Sequence, residues 1–241
     1  YAMTCSLKLY FIHFLILSFS FSQQTLKNVY NKNKNNIVEI ITNNSYGTGF
    51  FYQNNGIVLT ASHIVNGSKT VKIKKENKII SVSEIYTLPG DLDIAVLLLN
   101  QLDKFENIKY TISVPNILDP IVMVSNPLGF PKTVTTGIIT NILSDDKYIF
   151  YLANAATSLG SSGGPVFSSN GDLIGIHTAF YDSKHQHIVP FVLIHENFNN
   201  IIPIKRKYGK YRIKMRDDIS YGKRLYKKII SYTRFKRRRL K

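Results

Sequence analysis

Ser162 stands within Ser158-Leu159-Gly160-Ser161-Ser162-Gly163-Gly164-Pro165-Val166-Phe167, where three glycines flank one hydroxyl that such a backbone could present to solvent. That pattern makes Ser162 a candidate nucleophile. A serine hydroxyl is too weakly acidic to attack an amide unaided, so it requires a base, a group that orients the base, and donors for the developing oxyanion. Candidates for each occur elsewhere in the chain.

This decamer resembles the Gly-x-Ser-Gly-Gly-Pro signature of trypsin-like, chymotrypsin-fold serine peptidases, with Ser161 where bacterial HtrA/Deg members often carry Asn. Upstream, Leu59-Thr60-Ala61-Ser62-His63-Ile64-Val65 is similar to the family's Thr-Ala-x-His box, and Asp91-Leu92-Asp93-Ile94-Ala95-Val96-Leu97 to its Asp-Ile-Ala-Val box. The order is His, then Asp, then Ser. Smaller matches at Gly47-Thr48-Gly49-Phe50, Asn126-Pro127-Leu128-Gly129, Thr135-Thr136-Gly137-Ile138 and Leu173-Ile174-Gly175-Ile176 extend the resemblance from Ile37 to Ile202.

The resemblance implies a serine endopeptidase working through an acyl-enzyme. His63 would take the proton from Ser162 and return it to the leaving amine, since an imidazole titrates near neutral pH. Asp93 would hold the other ring nitrogen and stabilise the imidazolium, with Asp91 a poorer match for that place. The amides of Gly160 and Ser162 would form the oxyanion hole.

Thr157 and His177, five residues before and fifteen after Ser162, fall where the family lines the pocket for the residue preceding the cut bond. Staphylococcal V8-type glutamyl endopeptidases are similar at both places and around Phe191-Val192-Leu193-Ile194-His195-Glu196-Asn197. A hydroxyl and an imidazole can both donate to a carboxylate, so cleavage after Glu or Asp is expected. The competing reading makes His177 a buried strand histidine satisfied by a neighbour, with preference for small apolar residues. The main chain at Thr178-Ala179-Phe180 would pair with an extended substrate, and Thr178 would also reach Asp93.

The elements that must position these groups are short runs of β-branched and aromatic residues bounded by Gly, Asn, Asp and Pro. One set is Ile37–Ile41, Thr48–Tyr52, Ile57–Thr60, Thr70–Ile73, Ile79–Ile85 and Ile94–Leu99. The other is Ile121–Val124, Lys132–Ile142, Tyr148–Leu152, Pro165–Phe167, Asp172–His177 and Ile188–Ile194. Two six-stranded antiparallel β-barrels follow, an all-β fold with barrel 1 over about 37–115 and barrel 2 over about 116–195 of a protease domain at 37–203. Asn170-Gly171-Asp172 predicts a hairpin turn. His195–Ile202 predicts a short C-terminal helix stopped by Pro203.

The net charge of +16 is concentrated at one end: residues 205–241 hold 17 Lys and Arg against 2 Asp, leaving 14 basic and 13 acidic residues elsewhere. A partner with an anionic surface, lipid or nucleic acid, therefore belongs to the basic extension at 204–241, whose interleaved tyrosines and helical spacing of Leu225, Ile229, Tyr232 and Phe235 suit a basic amphipathic helix. The alternative is a solvated tail.

Residues 1–22 have the basic start, apolar stretch and small-residue exit of a secretory signal peptide, with an uncleaved membrane anchor as the alternative. A polar lead-in or propeptide follows at 23–36. The expected location is secreted or periplasmic. Cys5, the single cysteine, lies in the removable part, so no disulfide is expected. No cofactor is implied, and no metal, since His185 and His187 lack a third ligand. No PDZ-like region is read after the protease. Two further functional readings remain at this level: a polyprotein-processing protease of the same fold, and a non-catalytic binding protein acting through its basic tail.

Overall fold

The computed structural model describes residues 26–52, 56–88, 92–99, 108–144, 149–180, 185–197 and 202–203. The signal-like segment, the start of the lead-in, Asp91 and the basic extension lie outside the described residues. Residues 26–33 are helical (α1), and a 3-10 turn at Lys34–Asn36 leads into the first strand.

Six strands close barrel 1: β1 (Ile37–Thr42), β2 (Tyr46–Tyr52), β3 (Ile57–Ala61), β4 (Val71–Lys75), β5 (Lys78–Thr87) and β6 (Ile94–Leu99). Their order is β5-β4-β1-β2-β3-β6, and pairing of β6 back to β5 completes the ring. A helical turn, α2 (Ser62–Val65), follows β3. Barrel 2 closes through β7 (Pro120–Ser125), β8 (Thr133–Ser144), β9 (Ile149–Ala153), β10 (Pro165–Ser168), β11 (Leu173–Phe180) and β12 (Gln186–Pro190) in the order β10-β11-β12-β9-β8-β7. All of these pairings are antiparallel, as expected for two six-stranded barrels.

Burial follows the pleat where one face meets water. In β4, Val71 and Ile73 are buried while Lys72 is exposed. The strands between the barrels are buried on both faces: all of β3, and Ile94 to Leu97 of β6. Three apolar cores result. One fills barrel 1 around Ile40, Phe51, Ile73 and Leu97, and one fills barrel 2 around Met123, Ile139, Tyr151 and Ile188. The third joins Phe50, Leu59 and Val96 of barrel 1 to Val122, Phe167, Ile176 and Val189 of barrel 2. This shared core fixes one barrel against the other, so groups at the facing strand ends keep a defined separation.

The Asn170-Gly171-Asp172 turn forms as predicted, with Gly171 at φ +83° and its N–H donating to Ser168 O at 2.9 Å. The C-terminal elements differ from expectation. The last barrel strand stops at Pro190 instead of Ile194, and the helix runs Phe191–Asn197 (α3) instead of starting at His195. Phe191 and Ile194, three residues apart, are both buried, a helical spacing that also fits a short apolar strand. Phe191 packs 4.8 Å from Tyr110 and 5.5 Å from Tyr52, ring centre to ring centre. Ile202–Pro203 (β13) returns to barrel 1 and pairs with β5. Among the described residues no helix is long and apolar enough to cross a membrane.

Candidate active site

Gly160 and Gly163 on either side of Ser162 have φ of +92° and +84°, a region that costs side-chain-bearing residues strain. A Cβ on Gly163 would also fall well inside contact of Thr48 O and Thr60 Oγ1 and 2.9 Å from Ala61 N. The turn is thus pressed against the ends of β2 and β3. It is held there by Thr48, whose N–H donates to Ser162 O (2.9 Å) and whose hydroxyl donates to Gly160 O (2.7 Å). Thr48 Oγ1 in turn accepts from Asn126 N–H at 2.8 Å, and Thr48 O accepts from the Thr60 hydroxyl at 2.6 Å. From barrel 2, Gly163 N–H donates to His177 O at 2.7 Å and His177 N–H to Gly164 O at 2.9 Å. Both barrels therefore grip the serine turn, and Thr48 is a fixing residue that sequence reading took only as part of a small match. Its signal was a threonine between two glycines in an otherwise apolar strand.

Ser161 is fully buried; its N–H donates to Ser158 O at 3.0 Å, closing the turn. Among the described residues, the amides of Gly160 and Ser162 donate to no protein acceptor.

β3 and β6 pair Ala61 with Ile94, so one step further the chain sets Ser62 and His63 against Asp93. Asp93 Oδ2 accepts from His63 Nδ1–H at 2.7 Å, and Oδ1 accepts from His63 N–H at 2.9 Å. The His63 side chain remains 43% accessible while that of Asp93 is 16% accessible. A shielded carboxylate thus fixes the ring tautomer, while the ring keeps contact with solvent. The base and acid expected from the sequence are brought together, on the end of β3 against which the Ser162 turn is packed.

The expected specificity residues converge on one atom. The Thr157 hydroxyl and His177 Nε2–H (3.1 Å) both donate to Gln186 Oε1. His177 is fully buried, and burial pushes its imidazole down to about 4, so the ring is neutral at rest. Gln186, 3% exposed, was not named from the sequence. Its part depends on the β11–β12 register, which sets Phe180 opposite Gln186, and no local motif announces that pairing.

Thr178 does not reach Asp93: its hydroxyl is hydrogen-bonded to His187 Nδ1 at 2.8 Å. His187 is buried too, and desolvation lowers it to about 4 as well. β10 leaves β11 after the Pro165–Ile176 pair, and a bulge lies between His177 and Ala179. The backbone of Thr178, Ala179 and Phe180 therefore continues past β10, with Ala179 and Phe180 paired to His187 and Gln186 of β12.

A family model described as the trypsin-like peptidase domain matches residues 47–176. A Synechocystis protein carrying a serine-protease name, HhoB, is 31% identical over 145 residues, 55% of this chain and 34% of the relative. A Bartonella henselae protein named as a DegP-like periplasmic serine endoprotease is 31% identical over 147 residues, 57% of this chain and 28% of the relative. The chain thus spans about a third of the length of these relatives. Among solved structures, a serine endoprotease from Yersinia pestis has a TM-score of 0.64 at 23% identity, covering 73% of this chain and 65% of that one. Rv3671c of M. tuberculosis, as a serine-to-alanine mutant in an inactive form, has a TM-score of 0.63 at 20% identity, covering 71% of this chain and 89% of that one. These structures share the chymotrypsin-like fold.

Proposed function

The chain belongs to the trypsin-like peptidase family, and on that premise we propose that it is a serine endopeptidase in which Ser162, His63 and Asp93 form the catalytic triad. The carrying observation is the Asp93 carboxylate 2.7 Å from His63 Nδ1, at the strand end that receives the Ser162 turn. Ser162 attacks the scissile carbonyl as His63 removes its proton, and Asp93 stabilises the imidazolium. The amides of Gly160 and Ser162 receive the oxyanion, fixed before the reaction by the turn that Thr48 holds. His63 then protonates the leaving amine, and water hydrolyses the acyl-enzyme by the same proton route. The backbone at 178–180 pairs with the extended substrate.

The residue before the cut bond is Glu or Asp. Thr157 and His177 already aim two donors at one acceptor, Gln186 Oε1, and a carboxylate oxygen at that point would accept both. Its negative charge would raise His177 from its buried value of about 4. Gln186 yields its place to the substrate. Residues 1–22 direct export, and the segment 205–241 holds the enzyme on a polyanionic surface; salt-dependent pelleting with anionic vesicles tests the latter.

Digestion of a diverse peptide mixture, with cut sites mapped by mass spectrometry, tests the activity and the preference together. Cuts after Glu and Asp that vanish in Ser162→Ala are expected. Cuts scattered over all residue types would remove the role given to Thr157 and His177, and unchanged cutting by Ser162→Ala would remove the nucleophile.

A further inference from the structure

We propose that Ser62 is a positioning residue for the catalytic acid: it grips Asp93 at both backbone and side chain, and so aims the carboxylate at His63. This rests on the serine-peptidase reading above. Ser62 N–H donates to Asp93 O at 2.9 Å, and the Ser62 hydroxyl donates to Asp93 Oδ1 at 2.7 Å. Asp93 has φ of +50°, a left-handed conformation that a residue with a Cβ keeps only where its surroundings hold it. Ser62 supplies that hold, because it bonds the carbonyl and the carboxylate of the same strained residue.

The second reason lies in how the donors are divided. Oδ1 receives the Ser62 hydroxyl and His63 N–H, which leaves Oδ2 directed at His63 Nδ1–H. A carboxylate rotates about its last bond, and two donors on one oxygen stop that rotation in the orientation that serves the ring. Thr178 on β11, the other hydroxyl expected to reach this acid, is hydrogen-bonded to His187. The acid is therefore oriented from within the histidine segment itself. Ser62 is largely buried, at 8% exposure, so water competes poorly for its hydroxyl. Placing the positioning group one residue before the base makes base, acid and positioning hydroxyl one unit, carried where β3 and β6 pair.

The test compares wild type, Ser62→Ala and Ser62→Thr in the full chain. Three readouts are taken: peptide hydrolysis resolved into kcat and KM, thermal midpoint, and the downfield proton resonance of His63 Nδ1–H. Removing a charge-assisted donor predicts a fall in kcat of about tenfold to a hundredfold for Ser62→Ala, with KM within about twofold. The resonance should broaden by exchange with water, and Ser62→Thr, which keeps a hydroxyl, should recover most of both. If Ser62→Ala does not fold, Ser62→Cys, close in volume and a weak donor, replaces it and should show the same losses. Wild-type kcat with an unmoved resonance in Ser62→Ala overturns the proposal. So does a lower thermal midpoint with the resonance unmoved, since that pattern marks a merely structural hydroxyl. Absence of Ser162-dependent hydrolysis in wild type would instead overturn the peptidase reading, and the resonance would still decide the role of Ser62.

Discussion

His63 and His177 are the same side chain in opposite surroundings. His63 stands on barrel 1, 43% accessible and bonded to a carboxylate; His177 is buried in barrel 2 beside a neutral amide, and burial pushes it down to about 4. A carboxylate partner and access to water let an imidazole gain and lose a proton during turnover, whereas an apolar enclosure and an amide keep it uncharged. On the proposed reading, one barrel offers proton transfer, and the other offers recognition and the nucleophile. The serine turn, bonded to Thr48 on one side and to His177 on the other, is where the two functions meet.

The contrast can be broken most severely at the nucleophile and the acid. Ser162→Ala should lower kcat by about 10⁶-fold, measured by burst and steady-state peptide hydrolysis. Asp93→Asn should lower it by about 10⁴-fold, since an amide no longer fixes the ring tautomer. Gly163→Ala should reduce both stability and activity, because its Cβ would overlap Thr48 O and its φ is +84°; a loss on the order of 2 to 4 kcal/mol in denaturant titration is expected.

On the recognition side, Gln186→Ala should raise kcat/KM for peptides with Glu before the cut by about tenfold, as the competing amide is removed; initial rates on matched Glu and Gln peptides measure this.

The smallest effect concerns pH. His177 and His187 are lowered from 6.5 to about 4 in the folded chain, so the unfolded chain takes up protons first as pH falls. Stability from their neutral burial is complete above pH 6.5 and is lost as pH drops towards 4. Each should cost about 2 kcal/mol by pH 4.5, and His187→Gln should lose less between pH 7 and 4.5 than wild type in denaturant titrations.

Much of the fold, and the backbone of the serine turn, was legible because both are written in short local motifs. The glycines around Ser162 announce their backbone, and the Asn170-Gly171 turn its positive φ. Both barrels follow from strand-sized runs punctuated by turn residues. What escaped depends on distant pairing. Gln186 gains its place from a register across β11 and β12, Thr48 from a contact 112 residues away, and Thr178 turns to His187 because β12 buries that ring beside it. The strand-to-helix change at Pro190 was ambiguous because Phe191 and Ile194 suit either period. The segments at 1–25 and 204–241, though plain in composition, lie outside the described residues.

The central claim is that one hydroxyl is made nucleophilic by the His63–Asp93 pair. Treatment with an organophosphorus fluoridate, followed by peptide mass spectrometry, tests it directly. A single phosphoryl adduct on Ser162, formed in wild type and absent in His63→Ala, is the predicted result. An adduct on another residue, or equal labelling of Ser162 without His63, would contradict it.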